Sequence, residues 1–553
     1  MDILIFSILT NFLYFCSGSL IVSNKNCDFN NQFYIYFIGT VLVSFISLLL
    51  NFFIPLKPLI NSIIYLIIII AFTIKTKFIL NKKHINFLAI SSFITFLLIA
   101  YSTVNRPDAG LYHLPYIAVI NENKIIFGLS NIHFRFGHTS VLQYLSAINN
   151  NYVFLENGIS IPLASIVSFF YLYFFYDIWK IFIKKKIPNL SNFFSLFVLI
   201  YIAFKITRYS EFGNDAVAHL TFFYLISYLL RKNTKEINFK KILIISIFTF
   251  VNKPTLGLIF TAPLAIFFLQ NSFGPKKIFY SLFSFPTLFL YLWLIKNIII
   301  SGCFIYPVKI TCVENLPWTN VQQIVNVNIE SQAWSKAWPD RIDQNITMEE
   351  FNKSFNWVNA WGQKHLIHIL NIIIPYLTIL FLIIFYIKIK LKSIVVENNK
   401  DLKTRFFLCM IISGVGILYF FFLFPLYRYG YSYIVTFIIL IIIFIIKNKV
   451  SLKENIPIFK FIFIICFFVI ITKQGIKIFN NSKNTAWPNI YTLGTDHKIY
   501  TKTKIKINDD FFYYLADKGD QLCMYSKSPC TSLLAEKSLK YSSKKNYSFL
   551  TVN

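Results

Sequence analysis

The residues of this 553-residue chain whose types and spacing could do chemistry are few and clustered. The stretch "RPDAGLYHLPY" places Arg106, Asp108, Tyr112 and His113 close together, directly after the almost uncharged run from Phe87 to Ser102. A carboxylate at such a boundary could take a proton from a hydroxyl, and Asp108 and Tyr112 fall one helical turn apart on one face. The same position suits a helix cap, and spacing alone leaves both readings open. His133, Arg135 and His138 close the segment. They lack the carboxylates or third histidine that a metal site needs, and Arg135 is better suited to a phosphate.

A second acidic group lies in "RYSEFGNDAVAHL", where Glu211 and Asp215 precede an apolar run and His219 follows one turn on. Asp215 could serve a site or cap its helix, where an N-terminal carboxylate is worth about 0.3–1 kcal/mol. A divalent cation could bind between such acids if they meet. Lys253 in "FVNKPTL" and Arg428 in "FPLYRYGYS" are the counter-charges, each between apolar runs. Both could hold the phosphate of a lipid substrate, arginine bidentately and lysine as a point charge, or both could snorkel to phospholipid headgroups.

The elements that must position these residues are written in the composition. The chain is 56% hydrophobic and 19% aromatic, with mean hydropathy +0.59. A bilayer can cover that much apolar surface and a water-exposed fold cannot. The net charge of +29 does not signal nucleic acid, because Lys and Arg gather in short runs between apolar segments and no nucleic-acid-binding motif accompanies them. "MDILIFSILTNFLYFCSGSL" lacks a basic start and a small-residue cleavage site, so it reads as a retained helix.

The expected fold is therefore an all-α polytopic membrane protein of 11 to 14 crossings. Fourteen segments are candidates: 2–22, 33–54, 58–74, 84–101, 154–178, 192–207, 215–230, 242–252, 254–270, 278–300, 364–387, 405–424, 430–446 and 458–473. The pair 242–252 and 254–270 is read as a hairpin with Lys253-Pro254 at its exposed tip, because basic runs flank both sides. With that choice every basic loop (75–83, 180–191, 231–241, 271–277, 388–405, 447–460) falls on the cytoplasmic side. Asp108, His113, Glu211, Asp215, Lys253 and Arg428 then share the opposite face, the periplasmic one if the membrane is a bacterial inner membrane.

On that face the stretch Leu111–Ile120 is too short to span and is expected to lie along the surface as an interfacial helix. The loop 301–363 carries Trp318, Trp334, Trp338, Trp357 and Trp361, which suit an interfacial shelf or stacking on sugar rings. Residues 1–473 form the transmembrane domain, and 474–553, with alternating stretches such as "TKTKIKI", a small β-containing domain outside it. Cys303 and Cys312 share one outer loop, and Cys523 and Cys530 share the tail. Each pair could close a disulfide in an oxidising compartment or remain reduced.

Four stretches, "DAGLYHLPYI", "KNIIISGCFIYPVKITCVENLPWTN", "PLYRYGYSY" and "GDQLCMYSKSPCTSLL", resemble a bacterial multi-pass family that itself looks related to the GT-C superfamily of membrane glycosyltransferases. The second, with Ser301-Gly302, Tyr306-Pro307 and Trp318, is the most specific. The resemblance implies transfer of a sugar from a polyprenyl-phosphate-linked donor to a glycolipid or glycan acceptor, with membrane lipid as surroundings and no nucleic acid. It implies Asp108 as the catalytic carboxylate. Lys253, Lys296 and Arg428 are candidates for the donor phosphate by position. Arg106, Tyr112, His113, Arg135, His138, Tyr306 and Trp318 complete the expected substrate contacts. Where many relatives have a second acid beside the first, Ala109 and Gly110 stand here, which leaves Glu211 or Asp215 as partner. An envelope polysaccharide polymerase or ligase, and a lipid-linked-glycan transporter, are the rival readings. The chain shows neither an internal repeat nor a mid-membrane charge pair in favour of transport.

Overall fold

The computed structural model describes residues 2–22, 29–76, 81–102, 108–138, 140–184, 189–205, 212–270, 281–353, 355–390, 400–446, 456–482, 502–516, 522–535 and 538–552. Helices dominate it, and a small β region closes the chain. Each of the fourteen expected segments coincides with a helix. Among the described residues, nine helices are long and apolar enough to cross a membrane, and Leu190–Lys205, Pro254–Leu269 and Phe285–Ser301 are shorter apolar ones.

The helices sort by burial. Leu155–Ile183 is almost wholly enclosed, and Leu190–Lys205 and Asp215–Arg231 pack beside it. Pro58–Thr76, Trp357–Phe385 and Phe459–Asn481 instead present apolar side chains outward, with Ile67, Phe381 and Phe461 all exposed. The first two helices approach as closely as backbones can. A Cβ on Gly39 would stand 1.7 Å from the Tyr14 carbonyl oxygen, and one on Gly18 1.8 Å from that of Ile35. Small residues at a crossing give such contact, and a buried Asn11 reaching Ser91, Ser92 and Thr95 ties the first helix to Lys82–Ile99.

Polar networks mark both ends of the bundle. Asp215 begins the helix Asp215–Arg231 and Arg231 ends it, about 24 Å away at 1.5 Å per residue. At the Arg231 end, the fully buried Asp177 carboxylate takes Arg231 at 2.6 Å, Lys180 at 2.5 Å and the Ser195 hydroxyl at 2.7 Å. Nearby, Arg405 is buried against Asp401 at 3.2 Å and the Leu229 carbonyl. The Arg231–Asp177 ion pair and the Ser195–Asp177 and Arg405–Leu229 hydrogen bonds fasten helices to one another, and Lys180, Lys232 and Arg405 gather basic charge at this end.

The segment after Asp108 departs from its expectation. A π-helical turn, Ala109–His113, leads into the helix Leu114–Glu122, whose residues from Leu114 to Asn121 are all buried. It does not rest with a free face. The helix Leu142–Ile148 packs on it, and the Met524 amide in the tail donates to the Gly110 carbonyl at 2.9 Å.

The tail contains two β-units. Lys502–Asn508 pairs antiparallel with Phe511–Ala516, beside which Cys530–Thr531 runs parallel, and Leu539–Lys544 forms a hairpin with Tyr547–Val552. The hairpin edge pairs with Phe127, whose amide donates to Ser548 and whose carbonyl accepts from Leu550, each at 2.9 Å. The tail thus covers the 108–150 segment. Both cysteine pairs, Cys303–Cys312 and Cys523–Cys530, are disulfide-bonded.

Candidate functional site

Four of the five charged residues singled out by topology, Asp108, Asp215, Lys253 and Arg428, come together at one end of the bundle, delivered by four different elements. Asp108 enters the π-helical turn, but its side chain caps nothing. It accepts from Arg428 Nη1 at 3.4 Å instead, and both side chains are roughly two-fifths exposed (Asp108 41%, Arg428 37%). Arg428 sits in the first turn of the helix Tyr427–Ile446. Its Nη2 donates to the Tyr429 hydroxyl at 3.2 Å, while its buried Nε donates to no group among the described residues.

Asp215 and Lys253 form the second pair, in direct contact. Asn214, not Asp215, occupies the cap position of its helix, and its side chain donates to the Asn252 carbonyl, so the two pair-bearing ends are tied. Lys253 was expected at an exposed tip and is 5% exposed at its side chain. The reason is its position as the last residue of the turn closing Phe239–Asn252, which folds its ammonium inward to Asp215 and to the Tyr429 ring 4.7 Å away. Arg428 lies over the same ring at 5.1 Å, so one tyrosine serves both cations. Thr255 Oγ1, donating to the Tyr429 carbonyl at 3.4 Å, links the two turns.

His219, one turn after Asp215, clamps the arginine from behind. Its Nε2 meets the Arg428 carbonyl at 2.9 Å, its Nδ1 meets Ser432 Oγ at 2.8 Å, and its ring stacks on Tyr431 at 3.7 Å. With the backbone carbonyl fixing Nε2 as the proton-bearing nitrogen, Nδ1 accepts from the serine. The arginine's backbone is held here, while its half-exposed guanidinium meets Asp108 and the Tyr429 hydroxyl.

On the other side of Asp108, Arg135 lies over the Tyr112 ring at 5.0 Å, and the Tyr112 and His113 rings are 4.3 Å apart. Burial, with the Asp108 charge next, pushes the Tyr112 hydroxyl well above its ordinary range. His113 is buried and pushed down to about 4 chiefly by burial, and its Nδ1 faces Gln143 Nε2 at 2.9 Å. Gln143 is oriented by Ser140, whose amide and hydroxyl donate to Oε1 at 2.9 and 2.6 Å. His113 is therefore a neutral, oriented wall of the site.

The remaining expected residues do other work. His138 and Tyr306 pack ring against ring at 5.1 Å, and a Cβ on Gly137 would strike the same Tyr306 ring. Trp318 donates to the Ile298 carbonyl at 2.8 Å and packs on Phe127 and Phe549, locking the loop to the tail hairpin. Lys296 is fully buried on Phe285–Ser301, its ammonium 5.4 Å from the Trp293 ring. The tryptophan shelf is corrected: Trp357 and Trp361 are buried, Trp318 and Trp338 are half-buried in packing contacts, and Trp334 alone of the five is exposed. Trp338 packs on Phe351, and Trp357 and Trp361 pack on each other and on Phe421. Arg106 and Glu211 lie outside the described residues. Among the described residues, no group of three His, Cys, Asp or Glu could hold a metal ion.

Residues 1–435 match a family model described as a domain of unknown function, DUF8201. The chain belongs to that family. Asp108, Asp215, Lys253 and Arg428 all fall inside the matched region, while the helix Ile456–Asn481 and the β tail lie beyond it. No curated protein matches the chain, and no solved structure does.

Proposed function

We propose that this DUF8201 chain is an integral membrane glycosyltransferase of GT-C type. In this reading it moves a sugar from a polyprenyl-phosphate-linked donor to a surface glycolipid or polysaccharide acceptor, in a bacterial inner membrane with the site facing the periplasm. One observation carries it: a half-exposed carboxylate, Asp108, stands against a half-exposed arginine, Arg428, beside a second acid–lysine pair, at one end of an apolar bundle. The apolar exterior of the peripheral helices supports burial in lipid, and the basic residues Lys180, Arg231, Lys232 and Arg405 at the Arg231 end support a cytoplasmic placement for that end.

The chemistry follows from the charges. As the acceptor hydroxyl oxygen bonds to the anomeric carbon, its proton passes to Asp108. The bond from that carbon to the donor phosphate breaks, and its electron pair leaves on the phosphate oxygen. Arg428 and Lys253 meet that charge, Arg428 with a fork that matches phosphate geometry. Asp215 keeps Lys253 charged and aimed between turnovers, and Tyr429 spaces the two cations. A divalent cation between Asp108 and Asp215 is not needed for this sequence of events.

The test is comparison of the surface glycans of a deletion strain with those of wild type by mass spectrometry. The expected result is loss of one sugar, or of everything built upon it, restored by the intact chain. Identical glycans would contradict the proposal.

A further inference from the structure

A groove of about 700 Å³ opens at the far end of the helix that begins beside Asp108, and its lining is chemically unlike the charged site. Lys57, Asn121, Glu122, Asn150, Glu156 and Tyr525 supply its polar surface. Asn121 and Asn150 are buried in its floor, 2% and 4% exposed, and neither amide is free to turn. Asn121 Nδ2 donates to the Leu56 and Ala147 carbonyls at 2.6 and 2.9 Å. Asn150 Nδ2 donates to the Tyr525 hydroxyl at 2.6 Å, which in turn donates to Asn121 Oδ1 at 3.1 Å. At the rim, Glu122 and Glu156 are exposed, with Leu155 as an apolar neighbour.

This lining selects by chemistry. Two carboxylates against one lysine repel anions, so the groove does not take the phosphate that Arg428, Lys253 and Arg135 suit. Over this hydrogen-bonded floor, the Lys57 ammonium and the exposed Glu122 and Glu156 carboxylates offer a donor and acceptors beside the Leu155 apolar edge, which is what the hydroxyls and C–H faces of a sugar require. We infer that this groove is a binding site for a neutral glycan. The inference rests on the transferase reading for its role, since a glycan seated there would be the acceptor. Asp108 and Glu122 stand fourteen positions apart, about 20 Å along the turn and helix, so an acceptor seated in the groove must extend at least that far for its terminal hydroxyl to meet Asp108. The tail contributes Tyr525 and, through Ser528 donating to Glu122 at 2.8 and 2.9 Å, also places a rim carboxylate. A site shared between the bundle and the tail gives the tail a function beyond covering the 108–150 segment.

The test uses the full-length chain in lipid nanodiscs and saturation-transfer NMR with maltotriose, cellotriose and chitotriose as probes. The inference expects transfer to the ring protons of at least one probe, unaffected by inorganic phosphate and weakened at least 5-fold by Glu156→Ala. Tyr525→Phe, which removes only a hydroxyl, serves as the second variant should Glu156→Ala fail to fold, and is expected to weaken binding likewise. No transfer to any of the three, displacement by spermidine in preference to sugars, or binding unchanged by both Glu156→Ala and Tyr525→Phe would overturn it. Glycan binding with unchanged surface glycans in the deletion strain would leave the groove standing and remove the transferase reading.

Discussion

Arg428 donates to Asp108 across 3.4 Å, joining residues 320 positions apart at the mouth of the charged site. Neither is sealed off, so the pair is a poised contact and not a structural staple. A surface pair of this kind adds little stability, about 0–1 kcal/mol, which leaves both groups available to a substrate at small cost. The buried Asp215–Lys253 pair behind it is the fixed part of the arrangement.

That difference separates stability from activity. Lys253→Met leaves Asp215 facing a pocket without its cation, and breaking such a pair costs about 3–5 kcal/mol where it is buried. The expected outcome is a clear drop in melting temperature for Lys253→Met, largely recovered in Lys253→Met/Asp215→Asn, with transfer absent from both. Recovery of transfer in the double variant would show that the lysine serves the fold alone.

Acid should loosen the segment that follows Asp108. His113 is pushed down to about 4 by burial, and His133 to about 3 by burial and then by Arg135. In the unfolded chain each titrates near 6.5. Between those values the unfolded state binds more protons, so stability is full above about pH 6.5 and falls as the pH drops toward 4. Melting temperatures at pH 7.5, 6 and 5 should decline in that order, and His133→Gln should flatten the slope. A profile unchanged by that variant would remove His133 from the account.

How much of this was legible in the sequence depended on range. Charge alternation along the chain placed Asp108, Asp215, Lys253 and Arg428 at one end, because each crossing of an apolar span flips the side and the basic loops fix the count. It did not reveal the pairing, since which acid meets which base is set by helix packing over hundreds of residues. Tyr429 stood beside Arg428 in "PLYRYGYSY", yet its service to Lys253 depends on two turns meeting in space. Gln143 carried no signal at all, being one amide among many until His113 is found 2.9 Å from it. The tryptophans misled because their enrichment in one loop is the same whether they face lipid or each other. Trp361, donating to the Pro425 carbonyl at 2.7 Å, faces inward.

The first helix pair offers a check on the fold itself. Gly39→Leu puts a side chain where the Tyr14 carbonyl already stands, so the two backbones must part. Overpacking of this kind costs about 1–3 kcal/mol or more. A reduced yield of folded protein and a lower melting temperature are expected, read by size-exclusion profile and thermal unfolding. A fully stable variant would mean that the helices do not cross at Gly18 and Gly39.

The most direct test of the central claim is the fate of the donor in a deletion strain carrying Asp108→Asn. Lipid extracts and surface glycans would be measured together by mass spectrometry, with membrane levels of the variant matched to wild type. The account predicts accumulated polyprenyl-phosphate-linked sugar and transfer reduced at least about 100-fold, the loss typical of a missing general base. Wild-type glycans with no accumulated donor, at matched protein level, would contradict it.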